Sequence, residues 1–174
     1  IKKGSTDVIG NYNIIYKNGT LTINQVKIAT TGSCVSGLVY NGSPQTLASG
    51  GSYVSYSNNS QTNANTSGYS VTVTTDGNHQ FSDGTESKTL SCNIAKKELT
   101  PSVTASNKTY DSGTSATCSV TLSGAVASQS PTATATGAFA DADVGTGKTV
   151  TCSSITLGSS WTTNYKLSTT SKTT

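Results

Sequence analysis

Four cysteines, one histidine and eight carboxylates are the side chains of this 174-residue chain that could carry chemistry unaided. Cys34, Cys92, Cys118 and Cys152 show no Cys-x-x-Cys spacing, and His79 is the lone imidazole, so a tetrahedral zinc site lacks ligands. Asp141 and Asp143, with Asp111 more distant, offer oxygens of the kind Ca²⁺ takes. They fall short of the about six to eight it needs and read as solvated turn acids. Gly145-Thr146-Gly147-Lys148-Thr149 contains the Gly-Lys-Thr of a phosphate loop. The earlier glycine that loop requires is replaced by Ala142, and the residues that follow, Val150-Thr151-Cys152, are strand formers where a helix should begin. Any Ser or Thr nucleophile would have to share His79, no Gly-x-Ser-x-Gly exists, and Glu86 and Glu98 stand in different strand contexts. No catalytic group, metal or cofactor is expected, and the chain is not read as an enzyme.

Aromatic contacts are the remaining candidates. Trp161 lies in a polar loop, Ser159-Ser160-Trp161-Thr162-Thr163, and Tyr53 and Tyr56 stand close together, so these three could touch a sugar ring or a protein surface. The competing reading folds Trp161 back to cap its own module. Tyr12, Tyr69 and Tyr165, each at a strand start, read as corner packing.

The elements that must position these residues are strands. Tyr69, Val71 and Val73 alternate with Ser70, Thr72 and Thr74; Leu90, Cys92 and Ile94 alternate with Ser91 and Asn93; Ala116, Cys118, Val120 and Leu122 repeat the pattern, and Val150 and Cys152 share a face. Asn18-Gly19, Asn41-Gly42, Asp76-Gly77 and Asp83-Gly84 punctuate the runs as turns. With 32 Thr, 28 Ser and only 11% charged residues, the chain lacks the stock of a helical bundle. Its charge of +3 comes from scattered lysines, which argues against nucleic acid, and no apolar run is long enough to insert in a membrane. Five Asn-x-Ser/Thr sequons are what 13 Asn in so hydroxyl-rich a chain yield by chance. The expected fold class is all-β: tandem Ig-like antiparallel β-sandwich modules in an extended array.

Self-similarity divides the chain at 1–27, 28–97 and 98–174. Residues 11–23, NYNIIYKNGTLTI, predict a hairpin about Asn18-Gly19, and Asn164-Tyr165-Lys166-Leu167 echoes its start. It is therefore read as the closing hairpin of a preceding, clipped module. The joins near 25–28 and 96–100 are too short to be flexible, and Pro101 favours extended chain. Four cysteines allow three pairings, and only Cys34–Cys92 with Cys118–Cys152 keeps each bridge inside one unit. Buried free thiols of a reducing compartment are the alternative. Disulfides are favoured because loops of about 58 and 34 residues would each contribute roughly 3.5–4.5 kcal/mol to modules with thin cores. They imply an oxidising, extracellular compartment.

Particular segments carry a resemblance to known families. LTPSVTASNKTYD, FADADVGTGKTVT, SITL and NYKLS resemble the YDG-type repeat of large bacterial surface proteins, with Ser112 interposed between Asp111 and Gly113. GNYNIIYKNGTLTI is similar to the closing hairpin of MBG-type repeats. LVYNGSPQTL and HQFSDGTESKTLSCNIAKK resemble a bacterial Ig-like repeat. The resemblance implies no catalytic residues and a stalk or spacer in a secreted or cell-surface, adhesin-like protein, of which this sequence reads as a window lacking a last strand. Its partners would be neighbouring modules or identical subunits. Two other readings stay open: a module that itself holds a glycan or host surface protein, and a filament or virion-decoration subunit assembled by strand donation.

Overall fold

Strand faces in this chain are set by apolar residues spaced two apart, and burial follows that spacing. The computed structural model describes residues 2, 3, 5–7, 10, 13, 15 and 17–174. Its strands are β1 (Lys2–Lys3), β2 (Thr6–Asp7), β3 (Val26–Ile28), β4 (Ser33–Cys34), β5 (Gln45–Thr46), β6 (Ala48–Ser49), β7 (Val54–Ser57), β8 (Ser60–Gln61) and β9 (Asn65–Thr75). They continue with β10 (His79–Phe81), β11 (Ser87–Ile94), β12 (Lys97–Ala105), β13 (Ser115–Ala116), β14 (Cys118–Ser123), β15 (Ala133–Phe139), β16 (Val150–Leu157), β17 (Tyr165–Leu167) and β18 (Lys172–Thr173). No α-helix occurs among the described residues, and the chain is all-β.

Residues 26–96 are built on the sheet β11-β9-β7, to which short pairs β4–β6, β5–β8 and β3–β10 are added. Val71 and Val73 of β9 and Cys92 and Ile94 of β11 point inward, as their alternation with Ser and Thr requires. Residues 97–174 form two sheets, β14-β12-β17 and β13-β15-β16-β18. These meet around Val103, Val150, Cys152 and Ile155. Along β12, Leu99, Pro101 and Val103 are buried and their neighbours exposed.

Three expectations change. Antiparallel pairing does not hold throughout: β3–β10 and β12–β17 pair in parallel, as does the bridge Val39–Ala95. The hairpin over 11–23 is not formed in its described part. Residues 17–25 take no strand, while Asn11, Tyr12, Ile14 and Tyr16 lie outside the described residues. Leu21 and Ile23 find no apolar surface there, and an uncovered hairpin is marginal. Val26 and Lys27 instead belong to the following unit, through the pairing of β3 with β10. Nor do the two units keep separate cores. One cluster joins Leu47, Val71, Cys92 and Ile94 to Leu99, Leu157 and Tyr165 across the boundary.

Candidate functional site

Three features concentrate polar and covalent chemistry: the sulfur bridges, the boundary between the units, and the loops at the far end of residues 97–174. The bridges are Cys34–Cys92, tying β4 to β11, and Cys118–Cys152, tying β14 to β16, with Cα separations of 5.3 and 6.1 Å. Both separations fall in the range a disulfide spans. Cys92 and Cys152 reach the core because each falls in phase with its strand's apolar face. The second bridge links the two sheets that enclose Val103 and Ile155.

The boundary is assembled by a strand that scarcely breaks. β11 ends at Ile94, Ala95 pairs with Val39, and β12 starts at Lys97, so only two residues separate two ladders. Lys97–Leu99 then lies parallel to Tyr165–Leu167, which places Tyr165 beside Tyr40, ring centroids 5.3 Å apart and edge-on. Gln129 bridges the two hydroxyls: its amide donates to Tyr40 Oη at 2.8 Å, and its carbonyl accepts from Tyr165 Oη. Tyr165 Oη also accepts the Val126 N–H at 3.0 Å. On the other side, Asn164 Oδ1 accepts the Ala64 N–H at 2.8 Å and its amide donates to Asn63 Oδ1 at 3.1 Å. Gly42 is required here: its φ is +82°, and a Cβ would stand 2.8 Å from Val126 Cγ1.

Trp161 sits in the 3-10 turn Ser159–Trp161, half-buried, its ring 6.1 Å from that of Tyr165 and packed on the shared cluster. Tyr53 and Tyr56 do not form one platform. Tyr56 turns its hydroxyl to the Gly50 and Thr31 carbonyls. Tyr53, at φ 62°, is exposed and stacks on His79 with centroids 3.9 Å apart. His79 Nδ1 bonds Asp76 Oδ1 at 2.5 Å, and this hydrogen bond holds Asp76 below the usual carboxylate range.

At the far end, the loops 106–114 and 140–149 flank an open cleft of about 640 Å³ lined by Lys108, Tyr110, Asp111, Phe139, Asp141 and Lys148. Lys148 Nζ sits on Asp141 Oδ1 and donates to the Asp143 carbonyl, while Lys108 Nζ stands 2.6 Å from Asp111 Oδ1. Each ammonium lowers its partner's pKa. The place a cation would take between these carboxylates is thus held by lysine. Among the described residues, no three His, Cys, Asp or Glu are grouped to ligate a metal. The Gly-Lys-Thr run leads straight into β16, so its amides are not gathered at a helix N-terminus.

Sequence reasoning singled out Trp161 and the cysteines but missed Tyr40 and Gln129. The only signal for them was a tyrosine preceding an Asn-Gly turn, and a glutamine is invisible to any periodicity. Among known families, the model of the YDG domain matches residues 95–173. No curated protein and no solved structure matches the chain.

Proposed function

We propose that this chain is a structural spacer: tandem Ig-like β modules, bounded near residues 28–97 and 98–174, that hold parts of a secreted or cell-surface, adhesin-like protein apart at a fixed angle. The observation that carries this reading is the boundary, where β11 passes into β12 across two residues and the Tyr40–Gln129–Tyr165 relay closes over a shared core. A short, hydrogen-bonded, apolar joint transmits orientation, which a flexible linker cannot do. The two disulfides support an oxidising, extracellular setting. The match of residues 95–173 to the YDG domain supports a module of that type over the second unit. Residual dipolar couplings on the full chain test the proposal. One alignment tensor for residues 26–96 and 97–174 is expected, and two independent tensors would overturn it.

One observation favours a second reading, self-assembly by strand donation. Ile15, Leu21 and Ile23 are 75%, 89% and 91% exposed, and the last two lie in the run 17–25, which takes no strand. Such a run can add to the sheet edge of another copy. Light scattering decides: polymers abolished by Leu21→Ser with Ile23→Ser would support it, and a monodisperse monomer at high concentration would exclude it.

A further inference from the structure

Each unit opens on a strand laid parallel to a later one, at the end opposite to where its chain leaves. β3 starts beside β10, remote from the boundary, where the Val26 N–H donates to the Asn78 carbonyl at 2.9 Å. That unit is left at Ile94, which stands opposite Asn65 at the other end of β9. β12 starts at the boundary beside β17, with Lys97 opposite Tyr165 and Leu99 opposite Leu167. Beyond β17 the chain runs along β16, bonding Ile155 through Thr170 and Val150 through Thr174, and Thr174 lines the cleft at the far end. A pull on the chain ends therefore draws the two strands of each parallel pair lengthwise in opposite senses. A parallel ladder spaces its hydrogen bonds evenly, so a lengthwise pull loads them together, whereas strands parted from one end release one bond at a time.

The disulfides then shorten the route that tension takes. Cys34 comes soon after β3, and Cys92 lies on β11, which runs to the boundary, so force at Cys34 crosses to Cys92 and bypasses residues 35–91. Past β12 it meets Cys118, opposite Ala105, and crosses to Cys152, bypassing residues 119–151. Strands β7, β9 and β15 lie wholly in the bypassed segments. We infer that this chain is a tension-bearing tether: β3–β10 and β12–β17 resist a pull in shear, and any force that parts them passes along one covalent line of residues 26–34, 92–118 and 152–174. The inference rests on the spacer reading for its setting, a chain held at both ends, and adds a function to it. A spacer fixes a separation; a tether keeps its fold under a pull.

Optical-tweezers pulling of the full chain, with handles at both termini, is the test. In oxidising buffer the chain should stop lengthening short of its full contour. A reductant should then add about 200 Å for the 58-residue loop and about 120 Å for the 34-residue loop. The shear element is read by moving the C-terminal handle to Thr163, an exposed residue at the boundary end, beside the Asn164 carbonyl that accepts the Lys97 N–H. That attachment opens β12 from β17 one bond at a time. The force that opens residues 97–174 should drop severalfold, with both disulfides intact and no core residue changed. Equal forces for the two attachments, or no length gained on reduction, would overturn the tether and leave the spacer reading standing. A joint at Lys97 that proves mobile in the dipolar couplings overturns the spacer reading instead, whatever the forces.

Discussion

Ser112 adopts a backbone conformation that its side chain resists. At φ 62° its Cβ crowds the following carbonyl, a strain of about 1–2 kcal/mol that glycine avoids, although glycine loses more freedom on folding. Ser112→Gly should therefore raise stability by about 0.5–1 kcal/mol, and Ser112→Val should lower it by more, both read from urea midpoints. In Tyr110-Asp111-Ser112-Gly113 the positive φ falls on the interposed Ser112, as it falls on Gly42 in Tyr40-Asn41-Gly42-Ser43. Next to Ser112, Asp111 predicts a pH dependence. Lys108 first, then the Gly113 N–H, hold its carboxyl below the usual value of about 3.9. A depressed folded pKa contributes stability that is present above that value and lost as pH falls through the folded pKa. The Gly113 amide resonance should titrate with a midpoint below about 3.9, and Lys108→Met should move the midpoint up. A midpoint at the unperturbed value in the natural chain would contradict the ion pair.

At the scale of the element, β16 shows where alternation alone misleads. Counting by twos from Val150 places Ser154 and Thr156 inside and Ile155 and Leu157 outside. The structure does the reverse beyond Cys152. A bulge sets Ser154 at φ 50° and leaves two residues of β16 opposite one of β15, between the pairs Thr136–Ser153 and Thr134–Thr156. The phase slips by one residue, so Ile155 and Leu157 join Val150 and Cys152 in the interior. Ile155→Ala should cost about 2–4 kcal/mol and Ser154→Ala under about 1, measured by urea unfolding. Equal costs would mean that the bulge is absent. Strands β9 and β11 were legible because Tyr69, Val71 and Val73, and Leu90, Cys92 and Ile94, alternate there with Ser, Thr and Asn. The phases of Cys92, Cys118 and Cys152 were legible for the same reason, whereas Cys34, after Gly32 and Ser33, has no alternating run to set its phase. The bulge was not legible, because two adjacent serines carry no mark of which one turns. Parallel pairing of β12 with β17 was also hidden, since it joins residues far apart in sequence. The joint escaped because its polar members, Gln129, Asn63 and Asn164, look like any other loop residues in so Asn- and Ser-rich a chain.

At the scale of the whole molecule, the shared cluster makes a prediction that separate modules would not. Leu99, Leu157 and Tyr165 belong to residues 97–174, yet they pack in one core with Leu47, Cys92 and Ile94 of the other unit. Removing Cys118–Cys152 by Cys118→Ala with Cys152→Ala opens a 34-residue loop and should cost about 4 kcal/mol on chain-entropy grounds. If the units were cored independently, that loss would melt residues 97–174 first and leave residues 26–96 untouched, giving two heat-capacity peaks. With Tyr165 fully buried beneath Tyr40, unfolding of one unit strips apolar cover from the other, so both should melt together. A single peak whose calorimetric and van't Hoff enthalpies agree is expected for the parent and the double variant alike. Tyr165→Ala should then divide that peak, because it deletes the ring at the centre of the joint while leaving both disulfides in place. Two peaks in the parent would show that the boundary is a contact between finished domains, and the fixed angle would have to come from the two-residue join alone.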